Sequence, residues 1–370
     1  MEKKEKKDKS QMRHGYTTGA CSTAVAKAAL IALITGVVQK SVSIHLPVGR
    51  DAVFSIERCV ISEKSGYAET IKDGGDDPDA THQALITAEV FWTDLPGISL
   101  DGGIGVGRVT KPGLPVPVGE AAINPVPRQM ILSTIGQVLE EFEIHRGVKV
   151  VISVPKGEEI AKQTLNGRLG IIGGISILGT RGIVVPFSSS AYMASIAEAI
   201  SVAKACGSEH VVLTTGGRSE KYAMNLLANL PEEAFIEMGD FIGFSIKQCK
   251  KQGIKKVSLV GMMGKFSKFA QGVMMVHSRG SSVSFEFLAN IARDAGANEK
   301  LVGEVLQANT ASQVGELMLE AGLEQFFQKL CETCCYTALK HINGGIEFET
   351  AIYSLKGQLL GRAVGIDAID

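Results

Sequence analysis

"HVVLTTGGRSEKYAMNLLANL" (residues 210–230) opens as an apolar strand run, turns on two glycines, and continues with helical periodicity. The same succession recurs downstream. "EAFIEMGD" (233–240) reads as a strand and "FIGFSIKQCKKQG" (241–253) as a helix, and "KKVSLVGMMG" (255–264) is again a strand ending in glycine. Upstream, "VKVVISVP" (148–155) and "GIVVP" (182–186) are strand-like, and "SSSAYMASIAEAISVAKACG" (188–207) is a helix that Ser188 to Ser190 can cap and Gly207 can stop. Such alternation predicts a parallel sheet with crossover helices. From about Ser281 onward the pattern is mostly helical.

Before Arg146 the pattern differs. A helix from about Ala20 to Thr35 stops at Gly36, and four β-like runs follow, "SVSIHLP", "DAVFSIERCVIS", "YAETIKD" and "ALITAEVFWTD". A glycine- and proline-rich stretch leads into a second helix, "RQMILSTIGQVLEEFEI". The expected organisation is therefore α/β plus α+β. A solvated tail spans 1–12, an N-terminal α+β domain with a mixed sheet 13–145, and a Rossmann-like α/β domain with a helical C-terminal part 146–370.

The chain has 370 residues, 45% hydrophobic and 21% charged, with a net charge of −1. Near-neutral charge gives no general pull toward nucleic acid or anionic membranes. The charged start "MEKKEKKDKSQ" is unlike a signal peptide, and no run of about 18 uninterrupted apolar residues suggests a span. Seven cysteines, scattered apart from "CETCC" (331–335), fit a reducing cytoplasm, and no ligand pair matches that cluster for metal binding. Forty-two glycines with only 6% aromatics point to tight turns and backbone-lined sites.

Ligands of open α/β sheets sit outside the carboxyl ends of the strands. Thr215, Gly216, Gly217 and Arg218 stand where a strand gives way to a helix, whose N-terminus favours anionic groups. Glu237 and Asp240 follow at the distance where an acidic group takes ribose hydroxyls, and Gly261 and Gly264 mark a third strand-end turn. A nucleoside-containing ligand is the expectation. "GIGVGR" (103–108) is not GxGxxG, and "GISILGTR" (174–181) lacks the Lys-Ser/Thr of a phosphate loop.

"KDGGDDPDATHQ" (72–83) crowds four aspartates, Asp76 and Asp77 among them, round two glycines. The run suits either a cation or a turn whose aspartates cap their own backbone. "TLNGRLGIIGGISILGTRGIVVP" (164–186) is nearly free of acidic charge and carries Arg168, Thr180 and Arg181, donors suited to carboxylates; a tight sheet crossing is its other reading. "GKFSKFAQGVMMVHSRGSS" (264–282) offers Lys265, Lys268, His277 and Arg279, with His277 a candidate acid–base group.

Together "GYTTGACSTAVAKAA", "KDGGDDPDATH", the 164–184 segment, "TTGGRSE" and "GKFSKFAQG" resemble the CbiD family, cobalt-precorrin-5B C1-methyltransferases of anaerobic cobalamin synthesis. The resemblance runs from about Arg13 to past Arg279, with departures from the family pattern at Gly74, Gln83, Gly167 and Arg181. It implies methyl transfer from S-adenosylmethionine (SAM) to carbon C1 of an anionic cobalt-tetrapyrrole, in the cytoplasm, with the cobalt belonging to the substrate. A nicotinamide-dependent tetrapyrrole reductase and a non-catalytic tetrapyrrole-binding protein are the alternatives, and a homo-oligomer is left open. Under this reading Thr215, Gly216, Gly217, Arg218, Glu237, Asp240, Gly261 and Gly264 hold the donor. Thr17, Thr18, Asp76, Asp77, Arg168, Thr180, Arg181, Lys265 and Lys268 hold the substrate. The loop Tyr16 to Gly19 is expected to hold a carboxylate on its N–H groups and hydroxyls.

Overall fold

The computed structural model describes residues 11–277 and 280–365. The charged segment 1–10 and Arg279 lie outside them. The chain divides after Ser188 into two compact units.

The first unit is built round the helix Thr18–Thr35. Its N-cap is Thr17, whose hydroxyl accepts from the Ala20 N–H at 3.2 Å, and its C-cap is Gly36 in the left-handed region at φ 73°. The helix is long and apolar enough by composition to cross a membrane, but 72% of that window is buried inside the fold, as befits a core helix. It packs on a five-stranded sheet ordered Arg58–Ile61, Ser65–Ile71, Leu85–Thr93, Gly147–Ser153, Ile98–Gly102. The last pair is parallel and the others antiparallel, so the sheet is mixed. The alanine-rich face explains the close packing. A Cβ on Gly66 would lie 2.1 Å from the Ala29 carbonyl oxygen, so helix and sheet touch backbone to backbone there. Ala20, Ala24 and Ala28 share one core with Ile86, Val90, Val148 and Ile152. The helix Pro125–Glu141 packs beside the first helix.

This topology corrects the expected boundary at 145/146. The run "VKVVISVP" looks like the first strand of the α/β part, but it lies between Leu85–Thr93 and Ile98–Gly102 in the first sheet. Val148, Val150 and Ile152 are buried and Lys149 is exposed, and a short apolar run of this kind does not show which sheet it joins. The run "GIVVP" also stays in the first unit, where Ile183–Val184 pairs with Gly15–Tyr16.

The second unit carries a five-stranded sheet ordered Phe235–Glu237, His210–Thr214, Lys256–Met262, Glu347–Tyr353, Leu359–Gly365. The first four strands are parallel and Leu359–Gly365 is an antiparallel edge. The helices Gly217–Leu226, Ile242–Lys251 and Met263–Ala270 each follow one of the three strands read from the sequence. The last two strands fall in the stretch read as mostly helical. Glu347–Tyr353 is almost wholly buried and pairs on both sides, so the sheet is completed by a return of the chain after the helices from Met263–Ala270 to Gln325–Ile342. The cysteines of "CETCC" lie on the helix Gln325–Ile342, Cys335 against this sheet and Cys334 against the Phe266 carbonyl of the helix Met263–Ala270. Cys335 Sγ reaches the Thr350 hydroxyl at 3.3 Å, and Cys331, Cys334 and Cys335 are buried, with their thiols pushed up by burial.

Candidate functional site

The carboxyl ends of the parallel strands open into a cavity of about 950 Å³ within the second unit. Thr215 to Ser219, Asp240, Met262 and Gly264 border it, with Lys265, Lys268 and His277. Of the predicted donor and acid–base residues, Thr215, Gly216, Gly217, Arg218, Asp240, Gly264 and His277 are thus brought together, and Lys265 and Lys268 join them.

The first turn is open by construction. Gly216 has φ 156°, and nothing lies within 4 Å of where its Cβ would be. No side chain caps the helix Gly217–Leu226, so its first N–H groups and the positive end of its dipole stay available at the cavity. Ser219 folds back instead, accepting from the Thr215 N–H at 3.1 Å and donating to the Gly216 carbonyl at 2.8 Å, which fixes the turn. The exposed Arg218 guanidinium projects from it.

Lys265 ties three turns together. Its Nζ donates to the Thr215 carbonyl at 2.7 Å and to the Gly239 carbonyl at 3.5 Å, and pairs with Asp240 Oδ1 at 3.1 Å. The Asp240 carbonyl accepts from the Val276 N–H at 3.1 Å, anchoring the segment that brings His277 to the rim. On the same helix, Lys268 is only 9% exposed, and its Nζ reaches the Val276 carbonyl at the long distance of 3.5 Å.

Two predicted donor residues stand elsewhere. Glu237 does not line the cavity; its carbonyl accepts from the Tyr192 hydroxyl at 3.4 Å. Burial, and then the charges of Glu237, Asp240 and Glu220, push that phenol up to about 12. Gly261 is buried, and its Cβ position lies 2.6 Å from the Phe266 ring, so this glycine serves packing. Sequence reasoning missed the wall formed by Asn309, Thr310, Ala311 and Ser312. Its signal was present as a cap. Thr310 accepts from the Gln313 N–H at 3.1 Å, and Gln313 accepts from the Asn309 N–H at 2.9 Å, a reciprocal pattern close to a capping box.

The first unit corrects the expected substrate cradle. The Thr18 hydroxyl accepts from the Leu178 N–H at 2.8 Å and lies 3.3 Å from the Ser176 and Leu178 carbonyls, and both Thr17 and Thr18 are buried. The N–H groups of Tyr16, Thr17 and Gly19 donate to the carbonyls of Asp73, Gly182 and Leu178. Three N–H donors of this loop and the Thr18 hydroxyl are thus engaged within the first unit, two of the N–H groups and the hydroxyl by the 164–186 segment. Asp76 and Asp77 likewise accept from the N–H groups of Arg13 (3.0 Å) and Phe187 (2.8 Å). Asp73 pairs with Arg13, whose hydrogen bond holds its carboxyl down at about 2. Asp79 pairs with the fully buried Lys72 at 2.5 Å. Burial works to raise the Asp79 carboxyl, but the charge and hydrogen bond of Lys72 outweigh it and hold it below its usual range. The acidic run is therefore an internal turn. Arg168 is half-buried beside Lys111, which donates to its carbonyl at 3.3 Å, while Thr180 and Arg181 are exposed. Among the described residues no group of three His, Cys, Asp or Glu is placed to hold a metal ion.

The second unit is an open α/β sheet with a glycine-edged, cation-lined pocket at the carboxyl ends of its parallel strands. The family model for CbiD matches residues 4–186, and that for the CbiD C-terminal domain matches residues 275–364. A cobalt-precorrin-5B C(1)-methyltransferase of Geobacillus sp. (strain WCH70) is 66% identical over 98% of this chain and 99% of its own length. One from Priestia megaterium is 65% identical over 97% and 98%. A crystal structure of a cobalamin biosynthesis protein (cbiD) from Archaeoglobus fulgidus is 30% identical, covering 68% of this chain and 78% of that one with a TM-score of 0.39. The chain belongs to the CbiD family.

Proposed function

We propose that this chain transfers a methyl group from S-adenosylmethionine to ring carbon C1 of cobalt-precorrin-5B, the reaction named for its 66%-identical relative. The observation that carries the site assignment is the cavity at the carboxyl ends of a parallel sheet, where an uncapped helix N-terminus and Asp240 converge. In this reading the second unit acts as a Rossmann-like domain. The Thr215–Arg218 turn and Asp240 receive the nucleoside of the donor. Lys265 holds the turns in register while one Asp240 oxygen stays available to ribose hydroxyls.

Methyl transfer is an in-line displacement. The ring carbon supplies the electron pair of the new carbon–carbon bond, the methyl–sulfur bond of the sulfonium breaks, and the thioether leaves with the pair of that broken bond. No protein nucleophile is needed. Holding donor and ring in line supplies rate by proximity, of order 7–11 kcal/mol in favourable cases. In this reading His277, which is exposed and lines the cavity, accepts a proton from the macrocycle. The cytoplasm is the setting, and the exposed Thr180 and Arg181 of the first unit remain candidates for substrate carboxylates.

The test is anaerobic incubation with methyl-labelled SAM and cobalt-precorrin-5B, read by mass spectrometry. One labelled methyl on the tetrapyrrole is expected, and its loss in an Arg218→Ala/Asp240→Ala variant. An authentic substrate that gains no methyl overturns the reaction. Full transfer by the double variant moves the donor site elsewhere.

A further inference from the structure

Two lysines one turn apart on the helix Met263–Ala270 border the same cavity in opposite states. Lys265 is one-third exposed, and its ammonium meets two carbonyls and a carboxylate. Lys268 is 9% exposed, yet its one acceptor among the described residues is the Val276 carbonyl at 3.5 Å. An ammonium carries three donors and no acceptor. A buried charge without counter-charge or full hydrogen bonding is costly to maintain. Around it the cavity carries Arg218 and Lys265 against the single carboxylate of Asp240, which Lys265 already engages. Among the described residues the cavity therefore holds an excess of positive charge, and its most desolvated ammonium, that of Lys268, meets no carboxylate. An aliphatic side chain would fill that position without this penalty.

We infer that Lys268 is the carboxylate-binding residue of the cavity, its ammonium completing a buried ion pair with an anionic oxygen of the bound ligand. The inference rests on the donor-site reading for one source of that carboxylate, the amino-acid end of the methyl donor. The other source is an acidic side chain of the tetrapyrrole. Lys265 acts differently, as a positioning residue that braces the turns, so the two lysines are not interchangeable.

Calorimetric titration of the full chain separates the sources. S-adenosylhomocysteine is compared with 5′-methylthioadenosine, which keeps nucleoside and thioether but lacks the amino-acid carboxylate. Cobyrinic acid is compared with its heptamethyl ester. Lys268→Met is expected to weaken one of the two acids at least about tenfold, leave its uncharged counterpart unchanged, and keep a native melting transition. Lys268→Arg retains most of that affinity. Lys268→Gln serves as a second neutral variant should the methionine variant fail to fold. Loss confined to S-adenosylhomocysteine identifies the donor carboxylate, and loss confined to cobyrinic acid the substrate's. Unchanged affinity for both acids in the neutral variants overturns the inference. Wild-type protein that does not bind S-adenosylhomocysteine defeats the donor-site reading instead, and the cobyrinic acid pair still decides Lys268.

Discussion

The Tyr16–Gly19 loop and the Thr215–Arg218 turn look alike in sequence. Each places hydroxyls and glycine just ahead of a helix, the arrangement that cradles anions. The structure separates them. In the first, the N–H groups of Tyr16, Thr17 and Gly19 meet backbone carbonyls, and the Thr18 hydroxyl stitches the helix start to Leu178. In the second, the helix start has no side-chain cap and borders a cavity of about 950 Å³. A glycine–hydroxyl signature is a ligand site only where tertiary structure leaves its donors unsatisfied. The Thr18 hydroxyl is engaged in holding the first unit together, whereas the Gly217–Leu226 helix start faces a cavity.

The contrast breaks first at the buried pair of the first unit. Lys72→Met leaves Asp79 without its partner and should destabilise the protein by about 3–5 kcal/mol in a denaturant titration, without changing S-adenosylhomocysteine affinity in the folded fraction. Asp240→Ala in the second unit should do the reverse. It should weaken S-adenosylhomocysteine by roughly 10- to 100-fold, the ~1.5–3 kcal/mol of a hydrogen bond to a charged group, with a smaller effect on melting. Thr18→Val leaves the Leu178 N–H unsatisfied and should cost about 1–3 kcal/mol of stability with ligand binding intact.

Acid sharpens the same comparison. Asp73, with its carboxyl held down at about 2 by Arg13, adds stability that is fully present above its unfolded value of about 4 and lost as pH falls from there toward 2. Arg13→Gln should flatten the acid limb of a stability–pH curve over that window. The smallest effect belongs to the thiols. Cys206 is exposed and should react with a thiol reagent in the native protein, whereas Cys331, Cys334 and Cys335 should react only on unfolding.

Much of the fold was legible because its signals are local. Thr17 and Gly36 bracket a helix by capping chemistry, and the strand–glycine–helix alternation from His210 to Gly264 translates directly into three parallel strands. The strand Gly147–Ser153 was assigned to the wrong sheet, and Glu347–Tyr353 went unseen, because partners distant in sequence set their places. The same limit governs the site. Gly216, Gly217, Gly264, Asp240 and the lysines could be read as neighbours, since they follow strands that face one way, whereas Gly261 could not be told from a packing glycine. The Asn309–Ser312 wall arrives from a helix start far along the chain. Burial decided the rest. Nothing in "GYTTGA" tells that a second glycine-rich segment crosses over it, and nothing in "GMMGKFSK" tells that Lys265 is satisfied while Lys268 is not.

The most direct test of this division is S-adenosylhomocysteine titration of Arg218→Ala/Asp240→Ala beside Thr18→Val, each with its melting curve. Binding lost in the double variant with its fold kept, and unchanged in Thr18→Val despite a lowered melting temperature, is the expected result. Binding kept by the double variant and lost in a folded Thr18→Val protein would contradict it and assign the donor to the first unit.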